Sequence, residues 1–245
     1  MRTDIKNQNE ISATWSNVSS TNLSTTISNE KGVSVSTIEH LMSALSGLHI
    51  DNVTILLNAA EVPIMDGSSK MFVELIESNG VVSHNKKRKV LKVNKEILVS
   101  KDNSSVKLAP NNRFSIDFEI DFPSPFISKQ SCQLQLVNGN YKSDIASART
   151  FGFEEEVDYL RSNGFALGGS LENAVVVGAD KILNKEGLRY KDEFVRHKIL
   201  DSIGDLYLAG SPIKGYFYGN KSCHYLNNQL LKELFSDNTN YEYID

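Results

Sequence analysis

Three short stretches of this chain carry residue types and spacings that a hydrolytic metal centre uses. His197 and Asp201 stand four residues apart, so on a helix they share one face and can reach a single ion. Imidazole nitrogen and carboxylate oxygen both suit zinc, and a catalytic zinc takes three protein ligands plus an open position for water. Glu39-His40 offers a third ligand with a carboxylate beside it that could act as general base. His224, just before a helical pattern near the C-terminus, could serve as an acid. Taken singly, each has an ordinary reading. His197 and Asp201 could be an exposed i, i+4 pair, Glu39-His40 a surface dipeptide, and His224 a plain first-turn residue. His49 and His84 fall at a helix end and in a polar linker and receive no role.

These residues need elements to position them. Ser36-Thr37-Ile38-Glu39 has the form of a capping box, and Ile38, Leu41, Met42, Leu45 and Leu48 recur at helical spacing. The pattern predicts a helix from about Thr37, with Glu39 and His40 off its apolar stripe. A β-rich run from Asn52 to Leu57, a turn at Pro63-Ile64-Met65-Asp66-Gly67 and a helix from Ser68 to Ser78 closed by Gly80 come next. Asp192 to Ala209 is the clearest helix. Val195, Ile199, Ile203 and Leu206 line one face, with His197, Asp201 and Asp205 roughly opposite.

Elsewhere, Phe114, Ile116, Phe118, Ile120 and Phe122 alternate with polar residues, and Cys132, Leu134 and Leu136 repeat the alternation, as half-buried antiparallel strands do. A short helix from about Phe153 to Asn163, strands at Ala174 to Val177 and Ile213 to Tyr218, and a last helix from about Tyr225 to Phe235 complete the pattern. The segment Ser16 to Ser28, rich in Ser, Thr and Asn, reads as strand and turn with no function attached. A loose common order around residues 37–78 and 192–235 predicts an α+β fold of two similar two-layer domains, each a small sheet plus helices, packed through their helices. The expected division is 1–85, a solvated basic linker at 86–89, and 90–245 with an insert at about 151–190.

With 245 residues, 40% hydrophobic and 23% charged, the chain can bury a real core. A formal net charge of −4 gives no basic field for nucleic acid, and Lys86-Lys87-Arg88-Lys89 is too short to supply one. Two distant cysteines, Cys132 and Cys223, signal neither a disulfide framework nor a thiolate metal site. The apolar runs are too short to span a bilayer, and no apolar leader is present, so a cytoplasmic protein is expected.

The longer motifs resemble those of the LpxC deacetylases. They are Ser36 to Leu45 (STIEHLMSAL), Glu61 to Ser68 (EVPIMDGS), Ala148 to Phe153 (ARTFGF), Gly187 to Tyr190 continuing through Phe194 to Asp201 and Gly204 to Tyr207, and His224 to Leu231 (HYLNNQLL). Their order and length set aside the ordinary readings of the single residues. The resemblance implies removal of the N-acetyl group from UDP-3-O-acyl-N-acetylglucosamine in lipid A synthesis. It implies zinc on His40, His197 and Asp201, Glu39 as general base, and Thr150 steadying the oxyanion. Lys198 would help hold the nucleotide diphosphate, Phe151 would lie beside the substrate, and His224, oriented by Asp205, would act as acid or electrostatic stabiliser. Leu160, Phe165, Leu167 and Val175 to Val177 are candidates for the wall of an acyl passage. A monomer with this substrate as its partner is expected.

Family members begin with several tens of residues, including a glycine-rich segment, that precede the motif resembled by Arg2-Thr3-Asp4. A first domain short of its opening strands is therefore expected, and a non-catalytic remnant that binds the UDP-sugar or a partner is the alternative. A metallopeptidase is disfavoured because H-E-x-x-H is absent.

Overall fold

The structure, a computed structural model, describes every residue except 137 and 138. Its α+β architecture begins in the polar N-terminal segment. There β1 (Val18–Ser20), β2 (Thr26–Ser28) and β3 (Ser34–Val35) form a small antiparallel sheet that buries Ile27 and Val35. Helix α1 (Glu39–Gly47) starts two residues later than expected, because Thr37 has a positive φ of 57° and Ile38 takes the cap position. The capping box does not form. The Ser36 hydroxyl donates to the Ala60 carbonyl at 3.3 Å, and the Glu39 carboxylate turns away to the backbone of Thr25.

The strand expected at Asn52 to Leu57 is also absent. Val53 and Leu56 are 53% and 62% exposed, and among the described residues the run's backbone bonds only to Met1 to Thr3, at Ile55 and Leu57. After the turn at Pro63 to Gly67, α2 (Lys70–Asn79) ends at Gly80, whose φ of 79° suits a residue without Cβ. The connection beyond it is only partly solvated. Lys86, Lys87 and Lys89 are exposed, but Arg88 donates to Asp51 at 2.7 Å and to His49 Nδ1 at 3.2 Å, tying the connection to the end of α1.

Five strands of alternating burial come after this connection. β4 (Val90–Val93), β5 (Ile97–Lys101), β6 (Ser104–Ala109), β7 (Ser115–Asp121) and β8 (Lys129–Gln135) bury alternate residues, among them Leu91, Val106, Leu108, Ile116, Phe118 and Ile120. Past α3 (Asn140–Asp144), β9 (Phe151–Phe153) runs parallel to β10 (Val175–Val177), with α4 (Val157–Ser162) between them in sequence. Helix α5 (Glu193–Tyr207) is buried on nearly all sides. The expected strand at 213–218 is two strands, β11 (Ile213–Lys214) and β12 (Tyr216–Asn220), which join different sheets. At Gly215, between them, a Cβ would come 2.9 Å from the Val93 side chain. Helix α6 (His224–Ser236) and β13 (Tyr241–Ile244) close the chain.

The larger sheet runs β5-β6-β12-β7-β8, with β12 antiparallel to β6 and parallel to β7, and a three-stranded sheet runs β11-β4-β13. Helix α5 lies against β7, α6 and, most extensively, α1. The α1–α5 approach is close because Gly204 has no side chain where it meets the backbone of Glu39. Among the described residues, no helix is long and apolar enough to cross a membrane.

Candidate active site

The α1–α5 contact brings the widely separated chemical residues together. His197 and Asp201 lie one turn apart on α5, and His40 faces them from the first turn of α1. One ligating atom from each falls within 4.8 Å of the others. Asp201 Oδ1 sits 3.3 Å from His197 Nε2 and 3.5 Å from His40 Nε2, yet it is buried and accepts no hydrogen bond. Ligand atoms ~2 Å from a tetrahedral ion lie roughly 3.3 Å apart, so these two separations suit a shared cation better than an ion pair. The donor set, two imidazole nitrogens and one carboxylate oxygen, fits a divalent metal.

The surroundings support that role. His197 Nδ1 is 3.1 Å from the Ala148 carbonyl, which can only accept, so Nδ1 carries the proton and Nε2 presents its lone pair to the centre. Burial pushes the His197 pKa down to about 3, against the pull of Asp201, and keeps the ring neutral as a ligand must be. Burial opposes ionisation of Asp201, but the positive charges facing it, above all the Lys198 ammonium donating to Oδ2 at 2.9 Å, hold its carboxyl well below the usual range.

Glu39 is buried next to this cluster. Its Oε2 accepts the Thr25 amide at 2.9 Å, while Oε1 faces His224 Nε2 at 3.9 Å. Burial raises the Glu39 pKa against the pull of His224 and His40. His224, at the start of α6, has Nδ1 2.8 Å from Asp205 Oδ2. Burial works against its charge, but Asp205, with Glu39 and Asp201 behind it, raises the His224 pKa to about 10.

Of the remaining expected residues, Lys198 and Phe151 border the cluster, the first bonded to Asp201 and the second 6.3 Å from the His197 ring. Thr150 is half-buried two residues beyond Ala148, and its amide donates to the Gly67 carbonyl at 2.7 Å. Phe151 packs edge-on against Phe194 with ring centroids 5.0 Å apart, and the Lys198 ammonium lies 5.7 Å from its ring centre. The acyl-wall candidates divide. Val175 and Val177 are core, whereas Leu160 is half-buried, and Phe165 and Leu167 are exposed, as are Tyr159 and Leu171.

Sequence reading missed several supporting residues. Thr25 belongs to a segment whose composition suggested no function. Asn227 donates to Asp205 Oδ2 at 2.9 Å and sits one turn after His224, a spacing that could have pointed to it. Two ion pairs fix the motifs flanking α5. Arg149 meets the fully buried Glu193 at 2.9 Å, and Arg189 meets Asp66 in the turn before α2 at 2.8 Å.

Comparison with known proteins gives this geometry a setting. Proteins named UDP-3-O-acyl-N-acetylglucosamine deacetylase are similar along nearly the whole chain. That of Syntrophus aciditrophicus (strain SB) is 46% identical over 98% of this chain and 76% of its own length. That of Sulfurimonas denitrificans is 48% identical over 94% of this chain and 78% of its own length. That of Shewanella pealeana is 45% identical over all of this chain and 80% of its own length. The family profile described as UDP-3-O-acyl N-acetylglycosamine deacetylase spans residues 1–236, which include every residue of the cluster, and the chain therefore belongs to the LpxC family.

Proposed function

We propose that this protein is a zinc-dependent hydrolase that releases acetate from UDP-3-O-acyl-N-acetylglucosamine in lipid A biosynthesis. The observation that carries the reading is the buried, undonated Asp201 Oδ1 between two imidazoles, with Glu39 Oε1 facing His224 nearby. His40, His197 and Asp201 would hold the zinc, which supplies Lewis acidity toward the amide carbonyl and toward water.

The chain's own groups do the rest. Glu39 Oε1 takes the proton from the attacking water, and its raised pKa makes it a stronger base than an ordinary carboxylate. His224 stays cationic at neutral pH and offers Nε2–H to the developing oxyanion or to the departing amine. Thr150 offers a hydroxyl to the same oxyanion. Lys198 has ammonium hydrogens beyond the one given to Asp201, and these would meet the nucleotide diphosphate while Phe151 packs beside the substrate. Apolar side chains around α4 and the loop after it, including Leu160, Phe165 and Leu167, would flank the acyl chain at up to ~0.8 kcal/mol per buried methylene. In this reading residues 1–85 and 90–245 close on the site through α1 and α5, and the protein works as a cytoplasmic monomer.

The test is acetate release from UDP-3-O-acyl-N-acetylglucosamine together with metal analysis. About one zinc per chain and turnover abolished by chelation and restored by zinc support the reading. Zinc binding without acetate release would leave only a substrate-binding role.

A further inference from the structure

Asp205 and Glu39 belong to different helices, yet one residue beside the N-terminal sheet touches both. Thr25, only 1% exposed, immediately precedes β2. Its amide donates to Glu39 Oε2 at 2.9 Å, its hydroxyl donates to Asp205 Oδ1 at 2.6 Å, and its carbonyl accepts from the Ile38 amide, the cap of α1, at 3.3 Å.

Each of these bonds removes a freedom that the chemistry cannot tolerate. A carboxylate can rotate its two oxygens past each other, and the amide on Oε2 stops Glu39 from doing so, leaving Oε1 as the oxygen that meets the proton. Asp205 is fixed in the same way. The Thr25 hydroxyl occupies Oδ1, while Oδ2 receives His224 Nδ1 at 2.8 Å and Asn227 Nδ2 at 2.9 Å. The direction of the Thr25 hydroxyl bond is set, since an ionised carboxylate only accepts. Bonds of this charge-assisted kind are shorter and stronger than neutral ones. The His224 ring orientation therefore depends on Asp205, and that of Asp205 on Thr25.

We propose that Thr25 is a positioning residue for hydrolysis, whose hydroxyl and amide lock Asp205 and Glu39 so that the base and the His224 acid keep one spacing and orientation. The proposal rests on Glu39 acting as base and His224 as acid in the proposed hydrolysis. It assigns a task to a segment whose composition carries no catalytic signal.

The hydroxyl can be removed at constant shape. Thr25→Val and Thr25→Ser would be compared for kcat, KM, bound zinc and thermal unfolding, with UDP-3-O-acyl-N-acetylglucosamine as substrate. Thr25→Val should lower kcat by ~10–100-fold, the range for lost outer-shell partners, with KM within about twofold and zinc content unchanged. Thr25→Ser keeps the hydroxyl and should recover most of kcat. If Thr25→Val fails to fold, Thr25→Ala, which lacks the same hydroxyl and adds no bulk, takes its place. Normal kcat in the hydroxyl-free variant, or equal losses in it and in Thr25→Ser, would overturn the proposal, the latter because a retained hydroxyl then gives no rescue. Zinc-loaded wild type that releases no acetate would overturn the underlying reading instead.

Discussion

Gly204 of α5 touches the backbone of Glu39, and a Cβ at this glycine would stand 2.0 Å from the Glu39 carbonyl oxygen. Neither helix can give way locally, because the obstacle is backbone on both sides. Gly204→Ala should force α5 away from α1, costing on the order of 1–3 kcal/mol of stability as overpacking does. The same shift separates Glu39 and His40 from His197 and Asp201, and ~1 Å of misplacement is enough to lower turnover by about 100-fold. Denaturant unfolding and kcat measured on the same preparation check both effects.

Metal retention and turnover should separate cleanly between two neighbouring carboxylates. Asp201→Ala removes a proposed ligand and should weaken zinc affinity by ~100-fold or more, beyond the 10–100-fold typical of outer-shell changes, as read by metal titration and plasma mass spectrometry. Glu39→Gln should keep the zinc and lose roughly 10²–10⁴ in kcat, the range for a missing general base. Near-normal turnover in zinc-loaded Glu39→Gln would mean that the base lies elsewhere.

The alkaline side of the pH profile should report His224, if the proposed acid role holds. Its pKa rises on folding from 6.5 to about 10, so the stability from its charge is fully present below pH 6.5 and is lost as pH climbs through about 10. In that window the gap in unfolding free energy between wild type and His224→Gln should narrow by about 1.4 kcal/mol per pH unit. The ratio kcat/KM should fall along the same limb. Asp205→Asn removes the main counter-charge and should move the limb to lower pH. A limb that stays in place would assign the titration to another group.

Arg149 and Glu193 hold the segment that carries the Ala148 carbonyl against the start of α5. Glu193 accepts from the Arg149 amide and guanidinium and from the Arg189 amide, with no exposed surface of its own. Arg149→Leu strands that carboxylate and should cost about 3–5 kcal/mol in unfolding free energy. His197 should lose its fixed ring orientation with it, so zinc affinity should fall although Arg149 touches no ligand.

The parts of this site that could be read from sequence are those set by local periodicity. Helix α5 announces itself because Val195, Ile199, Ile203 and Leu206 recur at helical spacing, and the same repeat sets His197, Asp201 and Asp205 on the other face. Periodicity cannot show that the second face is buried too, since its cover is α1, more than 150 residues earlier. The Ser36 to Glu39 pattern misled for the same reason: the Glu39 carboxylate finds a better donor in Thr25 than in its own helix end. Asn52 to Leu57 has strand-forming residues, but a strand needs a neighbour along its length, and among the described residues only Met1 to Thr3 bonds to its backbone. Thr25 was invisible because a single buried threonine acquires meaning only from partners 14 and 180 residues away.

The place of β12 at the middle of the larger sheet has a consequence for how the protein is made. β5-β6 and β7-β8 are antiparallel pairs joined by short connections and can form as soon as they are synthesised. Their facing edges, however, stay apart until residues 216–220 slide between them. On the ribosome, two apolar hairpins with open edges must therefore wait for about 80 further residues to emerge, several seconds at ordinary elongation rates, exposed to edge pairing with other chains. Chaperone protection during that interval, rather than the stability of the finished sheet, would then set the yield of active protein.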